Sequence, residues 1–99
     1  MGWVVELTDE AEARLVSDIG SGLITRDDVA VMKKWIEEVE EKGIEVAQNN
    51  PSWRDHELEG KWAGHNAISF SYQGRLIYRI ERQKVVVQVV KVTHDHDYS

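Results

Sequence analysis

The chain has 99 residues, 41% hydrophobic and 30% charged, which suits a single folded domain over 1–99 and argues against a disordered or fibrous chain. No apolar run approaches the ~20 residues needed to cross a bilayer, the first residues show no basic stretch followed by an apolar one, and there is no Cys, so a cytoplasmic protein without disulfide, thiol nucleophile or thiolate metal site is expected. The net charge of -6 would argue against a polyanionic partner, but it is unevenly spread: residues 1–50 hold twelve acids against five bases, whereas residues 51–99 hold six acids, seven bases and all four His.

Trp3-Val4-Val5-Glu6-Leu7 is short and β-branched, and predicts a first strand. Thr8 is placed to cap a helix with Asp9 and Glu10 in its first turn, Ala11, Leu15 and Ile19 form its apolar stripe, and Gly20-Ser21-Gly22 ends it. A second helix opens at Thr25 with Asp28 as the acid of a capping box. Its apolar positions Val29, Met32, Ile36 and Val39, widened by Val31 and Trp35, predict a face packed on a sheet or on the first helix. Gly43 stops or bends it, Ile44–Gln48 adds one or two turns, and Pro51 ends helical structure.

Ser52 to Gly64 has little periodicity and reads as a loop. His65 to Tyr72 then alternates, with Ile68, Phe70 and Tyr72 on one side and His65, Ala67, Ser69 and Ser71 on the other. Gln73-Gly74 reads as a two-residue hairpin turn, Arg75 to Arg82 as the next strand, Gln83-Lys84 as a turn, and Val85 to Val92 as a central strand covered on both faces. The order β-α-α-β-β-β predicts an α+β fold, two N-terminal helices packed on a mostly antiparallel twisted sheet.

Chemistry concentrates in the second half. His56, Lys61 and His65 precede the strand that starts at Arg75, and His94 and His96 follow the last apolar run. Imidazole exchanges protons near neutral pH, and Lys and Arg bind anions. The His94-Asp95-His96-Asp97 run invites a metal, but two His on one strand face without a fixed third ligand do not make a site, so neither metal nor cofactor is expected. Trp3, Trp35 and Trp53 are assigned to packing.

His56-Glu57-Leu58-Glu59-Gly60, Gly64, Arg75-Leu76-Ile77-Tyr78-Arg79-Ile80, Val92-Thr93-His94 and Tyr98, taken in this order over essentially the whole chain, resemble the RelE/ParE superfamily of toxins from type II toxin–antitoxin modules, in particular its YafQ and YoeB branches, which cut messenger RNA. The resemblance implies a toxin fold of the microbial-RNase-like type, a metal-independent endoribonuclease, and a cognate antitoxin, mRNA and the ribosome as partners. It implies His56 as the base, Arg75 as a phosphate-binding group, His94 as the late acid and Tyr98 as the terminal aromatic, with His96 as an alternative register for the acid. Lys61 and Trp62 fall in the loop where YafQ-like relatives keep a polar residue and a Trp; His65 and Arg79 are further candidates for substrate contact, each with a plain structural alternative. Two positions depart from the pattern: Ser69 stands where relatives have His or Arg, and Glu57 where they usually have Pro. The same superfamily includes ParE-type toxins that bind DNA gyrase without catalysis, and the Ser69 departure also admits an inactive binding module.

Overall fold

Thr8 joins the first strand to the first helix: its N–H still donates to the Val87 carbonyl of the last strand, while its hydroxyl accepts from the Ala11 N–H and starts the helix. In the computed structural model, which describes residues 2–93, β1 (Val4–Leu7) is followed by α1 (Asp9–Ser21), which Gly22 caps in the left-handed conformation at φ 85°. α2 (Arg26–Lys42) opens on the expected capping box: the Thr25 hydroxyl accepts from the Asp28 N–H at 3.1 Å, and the Asp28 carboxylate accepts from the Thr25 N–H at 3.0 Å. Thr25→Ala removes one of these bonds and strands the other partner, so it is expected to cost about 0.5–2 kcal/mol, read as a lower urea midpoint with unchanged slope. α3 (Ile44–Asn49) continues after Gly43 and buries Ile44 and Ala47.

The expected loop holds two short elements, a two-residue strand β2 (His56–Glu57) and a 3-10 turn over Gly60–Trp62. Neither has enough residues to show a period in the sequence. β3 (Asn66–Ser69), β4 (Gly74–Glu81) and β5 (Lys84–Val92) complete a five-stranded sheet in the order β1-β5-β4-β3-β2. β1 runs parallel to β5 and every other pair is antiparallel, so the sheet is mixed and mostly antiparallel.

Two local expectations need correction. The β3–β4 connection is longer than the dipeptide Gln73-Gly74: the ladder stops at Ser69, the Phe70 N–H donates to the Gly74 carbonyl, and the Ser71 hydroxyl accepts from the Gly74 N–H. Tyr72 therefore sits on the turn at 92% exposure, not beside Ile68 and Phe70 in the core. Gly74 has no room for a side chain, since an added Cβ would lie 2.3 Å from the Phe70 ring. The second correction concerns β5: among the described residues helices cover only one face, and although Val86 is buried on the other, as a strand covered on both faces requires, Gln88, Val89 and Lys91 are only half-buried there.

The core lies between the helices and one face of the sheet. Trp35, Val39, Ile68, Leu76, Tyr78, Val85, Val87 and Val90 pack there, with Trp53 beneath the loop and Trp3 against its edge. α1 contributes less than its stripe suggests, because Ala11 is buried but Ile19 is 44% exposed. Among the described residues no helix is long and apolar enough to cross a membrane.

Candidate functional site on the open face of the sheet

Cross-strand pairing decides which side chains share the uncovered face. His56 pairs with Ala67, Ala67 with Ile77, and Ile77 with Val89. Ser69 pairs with Arg75, and Arg75 with Lys91. Directly paired residues project to the same side, and the intervening Ile68, Leu76 and Tyr78 all belong to the helix-side core. His56, Ser69, Arg75 and Lys91 therefore stand together on the open face, over a floor of Ala67 and Ile77 that is buried without belonging to the main core. His56 lies two strands and two residues from Arg75, which at sheet spacings is about 12 Å between backbones.

The β4–β5 ladder has a register shift between Ile77 and Tyr78 of β4: Ile77 pairs with Val89 but Tyr78 with Val87, so Gln88 of β5 is an extra residue. Such a bulge re-aims side chains. In a regular strand Gln88 and Lys91, three apart, would face opposite ways. Here Gln88 reaches His65 across β4 on the open face, with its Oε1 3.0 Å from His65 Nε2, while Lys91 stays beside Arg75. Lys91 is the site residue that sequence reasoning missed. Its signal was present as one of two polar breaks in an otherwise β-branched strand, but which face it took depended on the bulge.

His56 is exposed at the sheet edge and its Nδ1 lies 3.0 Å from the Arg54 carbonyl oxygen. A carbonyl only accepts, so Nδ1 is the donor, and in the neutral ring Nε2 is then the unprotonated nitrogen. Asp55, next in the chain, turns to the other face, where its Oδ1 accepts from Asn66 Nδ2 at 2.8 Å and its Oδ2 accepts a short bond from the Tyr78 hydroxyl. Gln48 Nε2 donates to the same Tyr78 oxygen at 3.1 Å. Burial raises the Asp55 pKa above the ordinary carboxylate value, against the lowering effect of the Tyr78 and Asn66 bonds and of the nearby His56. Burial also raises the Tyr78 pKa, and the bond to Asp55 raises it further, so the phenol keeps its proton and donates a hydrogen bond to the carboxylate.

The other candidates are placed as follows. Arg75 Nη1 donates to the carbonyls of Ser71, Tyr72 and Gly74, tying the guanidinium to its own turn, and Nε and Nη2 make no bond among the described residues. Arg79 is occupied by Glu81, which accepts from both Nε and Nη2, an arrangement that suits a structural role for this Arg. Lys61 is exposed in the 3-10 turn. Trp62 meets the His65 ring edge-on at 5.1 Å, and His65 Nδ1 is bound to the Trp62 carbonyl oxygen at 3.2 Å, so His65 has a partner on each ring nitrogen. Glu57 is exposed at the sheet edge. Thr93, whose N–H and hydroxyl both donate to the Gln73 carbonyl, brings the end of β5 to the turn that carries Arg75. His94, His96 and Tyr98 lie outside the described residues. Among the described residues no three His, Asp or Glu side chains are grouped to hold a metal ion.

No protein-family model matches the chain, and neither does any curated protein. Solved structures do. A copper-bound mutant toxin from Helicobacter pylori superposes with a TM-score of 0.73 at 16% identity, covering 99% of this chain and 100% of that one. The E. coli DinJ–YafQ toxin–antitoxin complex gives 0.71 at 13% identity over 93% of each chain. The YoeB–YefM complex from Staphylococcus aureus gives 0.70 at 11% identity, covering 93% of this chain and 98% of the other. The chain thus has the α+β fold of the YafQ and YoeB structures along nearly its whole length.

Proposed function

We propose that this protein is the toxin of a type II toxin–antitoxin module, a RelE/ParE superfamily member that cleaves mRNA on the ribosome and is held inactive by a cognate antitoxin. The fold shared with YafQ and YoeB, both solved in complexes with their antitoxins DinJ and YefM, supports the family and the kind of partner. The single observation that carries the nuclease is the shared face: an imidazole whose Nδ1 is taken up by a carbonyl, leaving Nε2 to exchange a proton, stands on the same side of the sheet as two cations, Arg75 and Lys91.

RNA supplies its own nucleophile. His56 Nε2 takes the proton of a 2′-hydroxyl, the 2′ oxygen bonds to the adjacent phosphorus, and the P–O5′ bond breaks, leaving a 2′,3′-cyclic phosphate and a 5′-hydroxyl. His94 gives the leaving 5′ oxygen its proton; His96 is the alternative donor. Arg75 and Lys91 neutralise the charge that builds on the phosphoryl oxygens, with the free Nε and Nη2 of Arg75 suited to a paired contact. Lys91 also answers the Ser69 departure: the row Ser69, Arg75, Lys91 has lost a cation on β3 and carries one on β5 instead. Lys61 is a further phosphate contact, His65, tied to Trp62 and Gln88, lines the groove without reaching the phosphate, and Trp62 or Tyr98 stacks a splayed base.

The test is induction of the chain in cells, with mapping of new RNA 5′ ends, beside Lys91→Ala and Arg75→Ala. Growth arrest with discrete cuts is expected for the natural chain. Loss of one preorganised donor to a transition-state oxyanion costs about 10²–10³-fold, and Arg75→Ala is expected in that range, because it also frees the turn. Lys91→Ala is expected to lose about tenfold, since a flexible ammonium is the weaker phosphate clamp. Arrest with intact RNA and damaged DNA would replace the nuclease with a ParE-type inhibitor of gyrase; a fully active Arg75→Ala would remove that residue from the site.

A further inference from the structure

We infer that Asp55, anchored on the helix side of the sheet by Tyr78 and Asn66, is a positioning residue that fixes which ring nitrogen of His56 carries the proton. The inference extends the proposed nuclease reading for its catalytic consequence, but the geometry it rests on is independent of it. Arg54 has φ 53°, in the left-handed region that non-glycine residues avoid. Such a conformation persists where the surroundings over-determine it, and here both neighbours are pinned. On one side the Trp53 carbonyl accepts from the Ser69 N–H at 2.9 Å, and Trp53 itself is buried. On the other the Asp55 carboxylate is held by Asn66 and Tyr78.

Between these two anchors the Arg54 carbonyl meets His56 Nδ1 at 3.0 Å. The consequence is chemical. An unconstrained neutral imidazole populates both tautomers, and the one with the proton on Nε2 is useless as a base on the open face. A carboxylate usually orients a catalytic His by bonding it directly. Here the carboxylate works from the opposite side of the sheet, and a main-chain carbonyl makes the contact. Asp55 is half-buried with its bonds to protein filled by donors from β3 and β4, so it acts through the backbone and touches no substrate.

The experiment is a long-range proton–nitrogen spectrum of the full chain labelled in His, recorded near pH 8 so that the rings are neutral, with RNA cleavage measured on the same samples. In the natural chain His56 is expected to show a protonated Nδ1 and a bare Nε2. Asp55→Ala is expected to mix the tautomers and to slow turnover by about tenfold with KM changed less than about twofold. Asp55→Asn keeps an oxygen for Asn66 Nδ2 but sets its amide N–H, beside that of Gln48, against the Tyr78 hydroxyl, so it is expected to shift both values in the same direction by less than Asp55→Ala. Should Asp55→Ala fail to fold, Asn66→Ala removes one anchor at a half-buried position and is expected to shift the tautomer in the same direction by less. An unchanged tautomer in whichever of the two is folded would overturn the inference. A shifted tautomer in a protein whose natural form cuts no RNA would support the positioning and sink the nuclease.

Discussion

His56→Ala is expected to lower the rate of RNA cleavage by about 10²–10⁴-fold, and to abolish growth arrest, while leaving the fold intact. The side chain is exposed and makes one bond, to the Arg54 carbonyl, so its removal leaves no buried polar group unsatisfied. Substrate binding should change little, because the charge that attracts phosphate comes from Arg75 and Lys91 and not from a neutral imidazole. The measurement is single-turnover cleavage of a defined RNA, with Kd for a non-cleavable 2′-deoxy analogue read separately. His56→Gln makes the second arm: it retains a polar side chain with no useful basicity and should be as slow as the alanine variant. A His56→Ala protein that cuts within about threefold of the natural rate would show that no positioned base acts at this site, and the proton would then have to leave by another group.

The parts of this arrangement that could be read from sequence were those that depend on neighbours along the chain. The capping box of Thr25 and Asp28, the helical stripe of Val29, Met32, Ile36 and Val39 widened by Val31 and Trp35, and the β-branched run from Val85 each lie within one element, and each formed where the pattern placed it. What escaped was what depends on contacts between elements. β2 exists only because His56 and Glu57 find partners in Ala67 and Asn66; two residues have no period of their own. Tyr72 looked like a core position because alternation was extended past Ser69, where the chain had already left the ladder to close a turn around Gly74. Lys91 was invisible as a site residue because one inserted position, Gln88, decides its face. The Asp55–Tyr78 bond joins residues 23 apart and no local rule proposes it. The resemblance to YafQ and YoeB reached His56 and Arg75 through motif order, and pairing in the sheet put both on one face.

Trp35→Ala should produce the largest loss of stability in the molecule, about 3–5 kcal/mol by the usual cost of truncating a buried aromatic. Trp35 is fully buried, and with Met32, Ile36, Leu76, Val87 and Val90 it lines a partly open apolar pocket of about 190 Å³. Deleting the indole therefore deepens an existing pocket, and the neighbours, fixed on two strands and a helix, have little freedom to close it. Set against a typical domain stability of about 5–15 kcal/mol, the loss is roughly a fifth or more of the total. Thermal unfolding should shift down by at least about 12 °C. Trp35→Phe should lose much less: the indole N–H has no partner in the fold, so no hydrogen bond disappears, and a ring remains against Tyr78. That ring contact, 5.5 Å between centroids, links the core to the site, because Tyr78 is also the donor that holds Asp55. Where Trp35→Ala remains folded at low temperature, its His56 tautomer should be mixed as in Asp55→Ala, whereas Trp35→Phe should keep the natural one. A loss below about 1 kcal/mol for Trp35→Ala, within the range of ordinary surface changes, would mean that Trp35 does not carry the sheet–helix core and that Tyr78 is held by Gln48 and Asp55 alone.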